Sequence, residues 1–362
     1  MAGKSAGSGV MDMVDLGQAI DWQANHAEEA GAPITARIVR AQRAMLELDT
    51  AVSRRMNSWA GLSLRDALPL RVAGGLHWLH LSGTAPALEP VYLGMASDQG
   101  TVDRLVAQAA QDFDTVLLPW LDSPPQTNEA GRSASIMAGL LWLADRLGPN
   151  FDLFEIGASA GINTMMARYA YDLGGVKAGP SLSRMAIAPE WRGASPPAAA
   201  PRIVGVRGCD IAPLDLADPA QALKLKSYVW PDAQARMHRM DAAIAIAAAM
   251  PPQLEKADAA DFVEQELACP AQAGTTRCLF HSIMWQYLPD SAQARITAAM
   301  EAAGAAARAD SPLAWLALET NRETFRHELT VRYWPDGGAP VKLAEAHPHG
   351  EWVEWLEEPA EA

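Results

Sequence analysis

The sequence predicts an α/β chain in which a largely parallel sheet with covering helices follows an all-helical N-terminal domain. Three observations carry this expectation. Up to about residue 145, apolar residues recur at three- and four-residue steps and no strand-like run interrupts them. From Phe151 the pattern becomes short apolar runs, at 151–156, 203–209, 277–282 and 313–318, each followed by helix-like or polar sequence. With 362 residues, 49% of them hydrophobic, the chain can bury the cores of two modest domains.

Residues 1–14 read as a flexible tail and 15–147 as a helical cap domain. Within the cap, Ile34, Ile38, Ala41, Met45 and Leu48 form one apolar stripe. Further helical stretches fall near 64–82, 101–121 and 131–147, punctuated by Gly83, Pro86, Pro124-Pro125 and Gly148-Pro149. The domain over 148–362 opens with a strand, a glycine turn at Gly157 and a helical pattern through Tyr171. Residues 174–201, rich in Pro, Gly and Ser, interrupt that unit as a lid or an irregular insertion. The stretches 329–334 and 341–344 suit a closing antiparallel pair.

Charge and cysteine content narrow the function. The 43 acidic residues exceed 29 Lys plus Arg, a formal net charge of −14, which repels phosphate backbones. No nucleic-acid partner is expected, and a small-molecule substrate is. Cys209, Cys269 and Cys278 show no CxxC or Cys/His spacing, so no metal site is expected and a reducing compartment is. No apolar run reaches the roughly 18 residues of a membrane span. A soluble cytoplasmic protein is the expectation; the oligomeric state is left open.

Glu155-Ile-Gly157-Ala-Ser159-Ala-Gly161 concentrates the chemistry. A strand must turn sharply here, and glycines permit positive φ and close approach of a ligand. Free N–H groups follow at the next helix start, and an acid stands before the turn. A zwitterionic sulfonium cofactor would use all three features. The same residues spell G-x-S-x-G, a nucleophile elbow in which Ser159 would attack an ester with Asp336 and His347 or His349 downstream. Plain packing of a helix on a strand is a third reading. Asp210, at the end of the next apolar run, suits the vicinal hydroxyls of a ribose or the cap of a helix. The spacing from Gly161 to Asp210 exceeds the usual ~20 residues, and the 174–201 segment accounts for the excess. Asp258 with Ala259 follows, and then a strand ending in His281-Ser282.

These stretches, in this order, resemble the successive motifs of class I adenosylmethionine-dependent methyltransferases. The chain more specifically resembles a bacterial family known as domain of unknown function 2332. That likeness lies in Gln126-Thr-Asn-Glu129 with Arg132, in the turn extended to Asn163, and in Arg168-Tyr-Ala-Tyr171. It continues in Ser227-Tyr-Val-Trp-Pro231, in 281–289, and in Trp334-Pro335 with His347-Pro-His349-Gly350. The resemblance implies a Rossmann-like methyltransferase-type sheet and S-adenosyl-L-methionine as cofactor. By position, Glu155 would approach the methionine amino end, and Gly157, Ser159 and Gly161 would line the cofactor path. Asp210 would hold the ribose, Asp258 and Ala259 the adenine edge, and Ser282 the start of the acceptor side.

Four residues, Gln126, Asn128, Glu129 and Arg132, stand before the helix leading to the turn. They read as an N-cap or as a clamp on cofactor or acceptor. His281 and Glu319 lie at predicted strand ends, where α/β sheets place their chemistry, and are the candidates for deprotonating an acceptor. Trp230, Trp285 and Trp334 read as core or as an acceptor wall. Function thus reads as a methyltransferase acting on an unknown small molecule. The alternatives are a serine hydrolase using Ser159 and a non-catalytic nucleoside-binding protein.

Overall fold

The computed structural model describes residues 15–59 and 66–357; the expected N-terminal tail lies outside them. The chain forms two compact units. Unit 1 takes residues 1–127 and 219–237, and unit 2 takes 128–218 and 238–362. The expected boundary near 148 therefore moves to Asn128, and a later segment joins the helical unit.

Unit 1 contains α1 (Leu16–Glu29), α2 (Pro33–Leu46), α3 (Ala51–Asn57), α4 (Leu68–Leu81), α5 (Glu89–Tyr92), α6 (Gln99–Asp112) and α7 (Asp114–Leu117). Local chemistry sets their starts. Asp15 accepts from the N–H of Gln18 at 2.8 Å and Asp98 from Thr101 at 2.9 Å. Pro33 and Pro69 sit in first turns, where no N–H is needed. The predicted stripe is real: Ile38, Ala41 and Met45 are core residues, with Ile34 and Leu48 packed against them. The next helix, α8 (Ser133–Leu147), belongs to unit 2, and α9 (Pro219–Ser227) returns to unit 1. The boundary to unit 2 then falls inside α10 (Gln234–Ala249).

His77 on α4 carries a pH dependence. Its Nδ1–H donates to the Ser227 carbonyl at 3.0 Å, and its ring stacks on Tyr92 with centroids 5.0 Å apart. Burial pushes its pKa down to about 4. A depressed folded-state pKa contributes stability that is complete above the ordinary 6.5 and is lost as pH falls toward 4. That loss is about 3 kcal/mol at one pKa unit per 1.36 kcal/mol. Urea midpoints of the full chain between pH 7 and 4.5 should fall by less in His77→Gln than in the wild type. An equal fall would show that His77 is not the group.

Unit 2 is a mixed α/β structure. Its strands are β1 (Asn150–Ile156), β2 (Ala170–Leu173), β3 (Val176–Ala178), β4 (Ala186–Ile187), β5 (Glu190–Gly193) and β6 (Arg202–Asp210). They continue as β7 (Leu254–Lys256), β8 (Thr276–Ser282), β9 (Leu313–Thr320), β10 (His327–Trp334), β11 (Val341–Ala346) and β12 (Trp352–Trp355). Nine of them form one sheet in the order β5-β12-β11-β10-β9-β8-β1-β6-β7. The stretch from β7 through β6, β1 and β8 to β9 is parallel, and β9 through β12 run as an antiparallel meander. The meander contains the closing pair expected from the sequence.

Helix α8 packs on β9, β10 and β11; α11 (Ala259–Ala268) touches β1 and β6, and α12 (Asp290–Ala305) touches β9 and β10. Register separates two faces. Glu155 is level with Phe280, which is level with Leu316, and Leu316 packs on Gly139 of α8. Phe154, Leu279 and Trp315 point the other way, into a core with Phe262, Val263, Ile296 and Met300 of α11 and α12.

The helix expected through Tyr171 is absent. A single 3₁₀ stretch, Asn163–Arg168, leads directly into β2. Tyr169, Tyr171 and Leu173 are buried and alternate with more exposed neighbours, a period of two. Side chains then replace the helical ladder: Tyr169 OH donates to Ile162 O at 2.6 Å and Tyr171 OH to Ser133 Oγ at 2.9 Å. Nor is 174–201 irregular throughout. It supplies β3 and β4 of a three-stranded sheet ordered β3-β2-β4, and β5, which pairs in parallel with β12.

Candidate functional site

Order of succession makes β1 the turning point of the parallel stretch. The chain steps from β1 to β6 and β7 on one side, then returns to β8 and β9 on the other. Open α/β sheets bind ligands at the carboxyl ends of the strands beside such a reversal. Glu155, Ser159, Asp210, Asp258, His281, Ser282 and Glu319 all lie at or just past those ends.

Glu155 is 1% exposed, and its Oε2 has no hydrogen-bond partner. Burial pushes its carboxyl well above the usual range; the Asn163 amide and Arg132 oppose this, and Asp210 adds to it. Neither amide atom of Asn163 makes a well-formed hydrogen bond, nor does Ser159 Oγ. Four buried polar atoms around one turn thus stand unpaired, where nearly all such atoms in folded proteins are paired.

The turn itself is braced by protein. Ser159 has φ +54° and its N–H donates to Asp210 Oδ2 at 2.8 Å, while Asp210 Oδ1 takes the N–H of Ala212 at 2.9 Å. A Cβ on Gly157 would stand 2.8 Å from the Met284 side chain, and one on Gly161 would stand 2.9 Å from Pro252. These two glycines serve packing, and their open sides are filled by side chains, contrary to the ligand path expected there. Asp258 caps α11, its Oδ1 taking the N–H groups of Ala260 and Asp261 at 2.9 and 3.2 Å; Ala259 is buried beside it.

The expected clamp is built into the floor of this region. Asn128 Oδ1 accepts from the N–H of Ile162 at 2.9 Å. Glu129 Oε1 takes the N–H of Gly131 and Nε of Arg239, at 2.9 and 2.7 Å. Arg132 is 6% exposed; its Nε donates to Pro348 O at 2.8 Å and its Nη1 to Ser282 O at 3.3 Å. Gln126 falls in unit 1. The 347–350 turn packs backbone-to-backbone on this segment: a Cβ on Gly350, which has φ +71°, would lie 2.4 Å from Gly131 O. Gly350→Ala should therefore cost about 2 kcal/mol or more, from strain and overpacking together. An unchanged urea midpoint would contradict that contact.

On the opposite face, the structure joins the two residues expected to act on an acceptor. Trp315 Nε1–H donates to His281 Nε2 at 3.0 Å, which leaves the proton on Nδ1, 2.7 Å from Glu319 Oε1. Both nitrogens of His281 are committed and the residue is 1% exposed, so it positions Glu319 and has no lone pair free to act as a base. Glu319 Oε1 also takes the N–H groups of Met284 and Trp285, at 3.0 and 3.2 Å. Ile283 makes this possible by adopting φ +52°, a strained conformation for a β-branched residue. A cavity of about 240 Å³ opens beside it, walled by His281, Trp285, Trp315, Ala317, Glu319 and Arg332. Of the expected aromatic wall, Trp285 is present, Trp334 is buried and Trp230 belongs to unit 1.

Trp315 takes a place the sequence did not single out, because inside an apolar strand an indole reads as core. Asn163 reads in the sequence only as part of the turn, and Arg239 lies in a helix without any local signal. Among the described residues Ser159 Oγ has no hydrogen-bond partner, and Asp336 accepts from Tyr333 OH at 2.6 Å.

The chain is thus a mixed α/β protein with a nine-stranded sheet and a helical N-terminal region, and buried unpaired polar atoms cluster at the sheet's carboxyl edge. It belongs to the family described as "Uncharacterized protein conserved in bacteria (DUF2332)", whose model matches residues 17–355. No curated protein and no solved structure matches it. No helix of the described residues is long and apolar enough to cross a membrane.

Proposed function

We propose that unit 2 is an S-adenosyl-L-methionine-dependent methyltransferase acting on a small-molecule acceptor. The observation that carries this reading is the strand order. Taken in sequence, the five parallel strands lie as 3-2-1-4-5, the order of a Rossmann-like sheet, with an acid at or just after the end of each of the first three. The antiparallel β10–β12 meander departs from the remainder of that pattern.

The side chains present fit such a cofactor, and the glycine faces do not supply the contact. The unpaired Glu155 Oε2, Ser159 Oγ and Asn163 amide offer a partner for an ammonium group and for hydroxyls. Asp258 uses only Oδ1 in its cap, and each oxygen of Asp210 keeps a second lone pair. Glu155 and Asn163 would hold the amino acid end, with Asp210 and Asp258 on the nucleoside. When bound, the cofactor supplies a methyl group activated by the sulfonium charge. Glu319 Oε2 stands at the acceptor cavity to take the acceptor's proton, and His281 fixes that carboxylate's orientation. Trp285 and Trp315 line the same cavity.

Methyl-labelled adenosylmethionine incubated with the full chain and a panel of small amines, alcohols and thiols tests this. Label should pass to one class of acceptor, and Glu319→Gln should lower the rate by about 10²–10⁴-fold. No transfer, or covalent labelling of Ser159 by a fluorophosphonate, would overturn the reading in favour of a binding protein or a hydrolase.

A further inference from the structure

The cavity beside Glu319 carries chemistry that identifies its ligand class. Its walls are mainly apolar: the indoles of Trp285 and Trp315 lie 5.5 Å apart at 58°, and Ala317 forms part of the lining between strands. Glu319 is the acid of this lining. Its Oε1 is held by three N–H donors, and Oε2 makes no hydrogen bond. Among the described residues no lysine or arginine pairs with this carboxylate; its one close ion-pair geometry is with His281, whose Nε2 accepts from Trp315 and which therefore carries no charge. Arg332, also in the lining, is already balanced. Its Nη2 meets Glu301 at 3.0 Å and its Nε donates to Gly338 O at 2.6 Å. The Arg332 guanidinium already lies over the Trp315 ring, 5.6 Å from its centroid, so the lining offers one oriented carboxylate without a cation and the Trp285 indole, whose ring attracts positive charge.

The geometry points to a binding site for a small organic cation, an alkyl- or arylammonium, with its nitrogen on Glu319 Oε2 and its body in the cavity against the exposed part of Trp285. The volume of about 240 Å³ lies below the roughly 300 Å³ at which drug-sized pockets begin, so the body is fragment-sized. Ile283 and His281 bear on the same point. A strained backbone that aims two successive N–H groups, and an imidazole fixed by an indole, both serve to hold one carboxylate oxygen still. As the acceptor pocket of the transferase, making the acceptor an amine, this rests on the function proposed above; as a cation site it does not.

Benzylamine, phenyltrimethylammonium and the neutral benzyl alcohol can be titrated into the full chain while the indole N–H signals are followed by NMR, with Trp285→Phe assigning one of them. Both cations should shift the Trp285 signal, and benzyl alcohol should bind about tenfold or more weakly. Glu319→Gln should weaken cation binding by about tenfold or more, with a thermal melt confirming that it folds. Ala317→Leu, which keeps the carboxylate and fills the cavity, should abolish binding of both cations. Equal affinity for benzyl alcohol, or cation binding unaffected by either substitution, would overturn the site. Cation binding without any binding of adenosylhomocysteine would leave the cavity standing and remove the cofactor reading.

Discussion

Glu155→Gln is expected to raise the stability of the chain at pH 7 while abolishing binding of adenosylhomocysteine. The wild-type carboxyl is fully buried with one oxygen unpaired, and burial lifts its pKa well above the ordinary 4.5. A group raised in the folded state contributes stability that is complete below 4.5 and is lost as pH climbs toward the folded value. Glutamine has no proton to lose, and its amide can donate to the unpaired Asn163 Oδ1. Near neutrality the gain should be on the order of 1–3 kcal/mol, the penalty on a buried unsatisfied polar atom. The difference between variant and wild type should widen from pH 5 to pH 8 in urea melts. Lower stability of the variant, or a constant difference across that range, would contradict this placement of Glu155. The functional cost follows from charge: a neutral amide cannot pair with a ligand ammonium, so a residue kept at the expense of stability is one the site needs.

Arg132→Leu should have the opposite effect on stability, a loss of about 2–4 kcal/mol from its charge-assisted hydrogen bonds. The guanidinium links three parts of unit 2: it precedes α8, holds Pro348 O in the 347–350 turn and reaches Ser282 O at the end of β8. Its removal leaves two carbonyls without their donors and withdraws the charge that opposes the rise in the Glu155 pKa. Lysine, a point charge without the planar fork, should restore only part of the loss. Arg132→Leu combined with Glu155→Gln should cost less than Arg132→Leu alone predicts, because the buried acid is no longer present. Urea unfolding of the four proteins measures this coupling; simple additivity would show that the two side chains do not interact.

Much of this architecture is legible in the sequence, and the failures have physical causes. The long strands β8 and β9 announce themselves as apolar runs because both of their faces are covered, whereas β6 is apolar in sequence although only Gly208 and Cys209 are buried. β7, three residues with two of them exposed, carries no such signal. The stretch after Gly161 reads as helical because its small and apolar residues fit either period, and only tertiary bonds from Tyr169 and Tyr171 decide for the strand. The acids at the strand ends, and His281 and Glu319 as strand-end residues, are legible by position; that the last two pair with each other is not. Which oxygen and nitrogen atoms remain free was not legible, since this depends on partners such as Trp315 and on the Ile283 turn. The roles of Gly157 and Gly161 were hidden for the same reason: Met284 and Pro252 fill their open sides from far along the chain. Gly131 and Gly350, unremarkable in sequence, are required by a backbone contact between segments more than 200 residues apart.

Calorimetric titration of the full chain with adenosylhomocysteine, in buffers of different ionisation enthalpy, bears most directly on the ligand at the carboxyl edge of this sheet. Saturable binding accompanied by proton release, and lost in Glu155→Gln, is the expected result, because an ammonium beside Glu155 draws the proton off its buried carboxyl. Absence of binding, or binding that Glu155→Gln leaves intact, would contradict a nucleoside cofactor at this site.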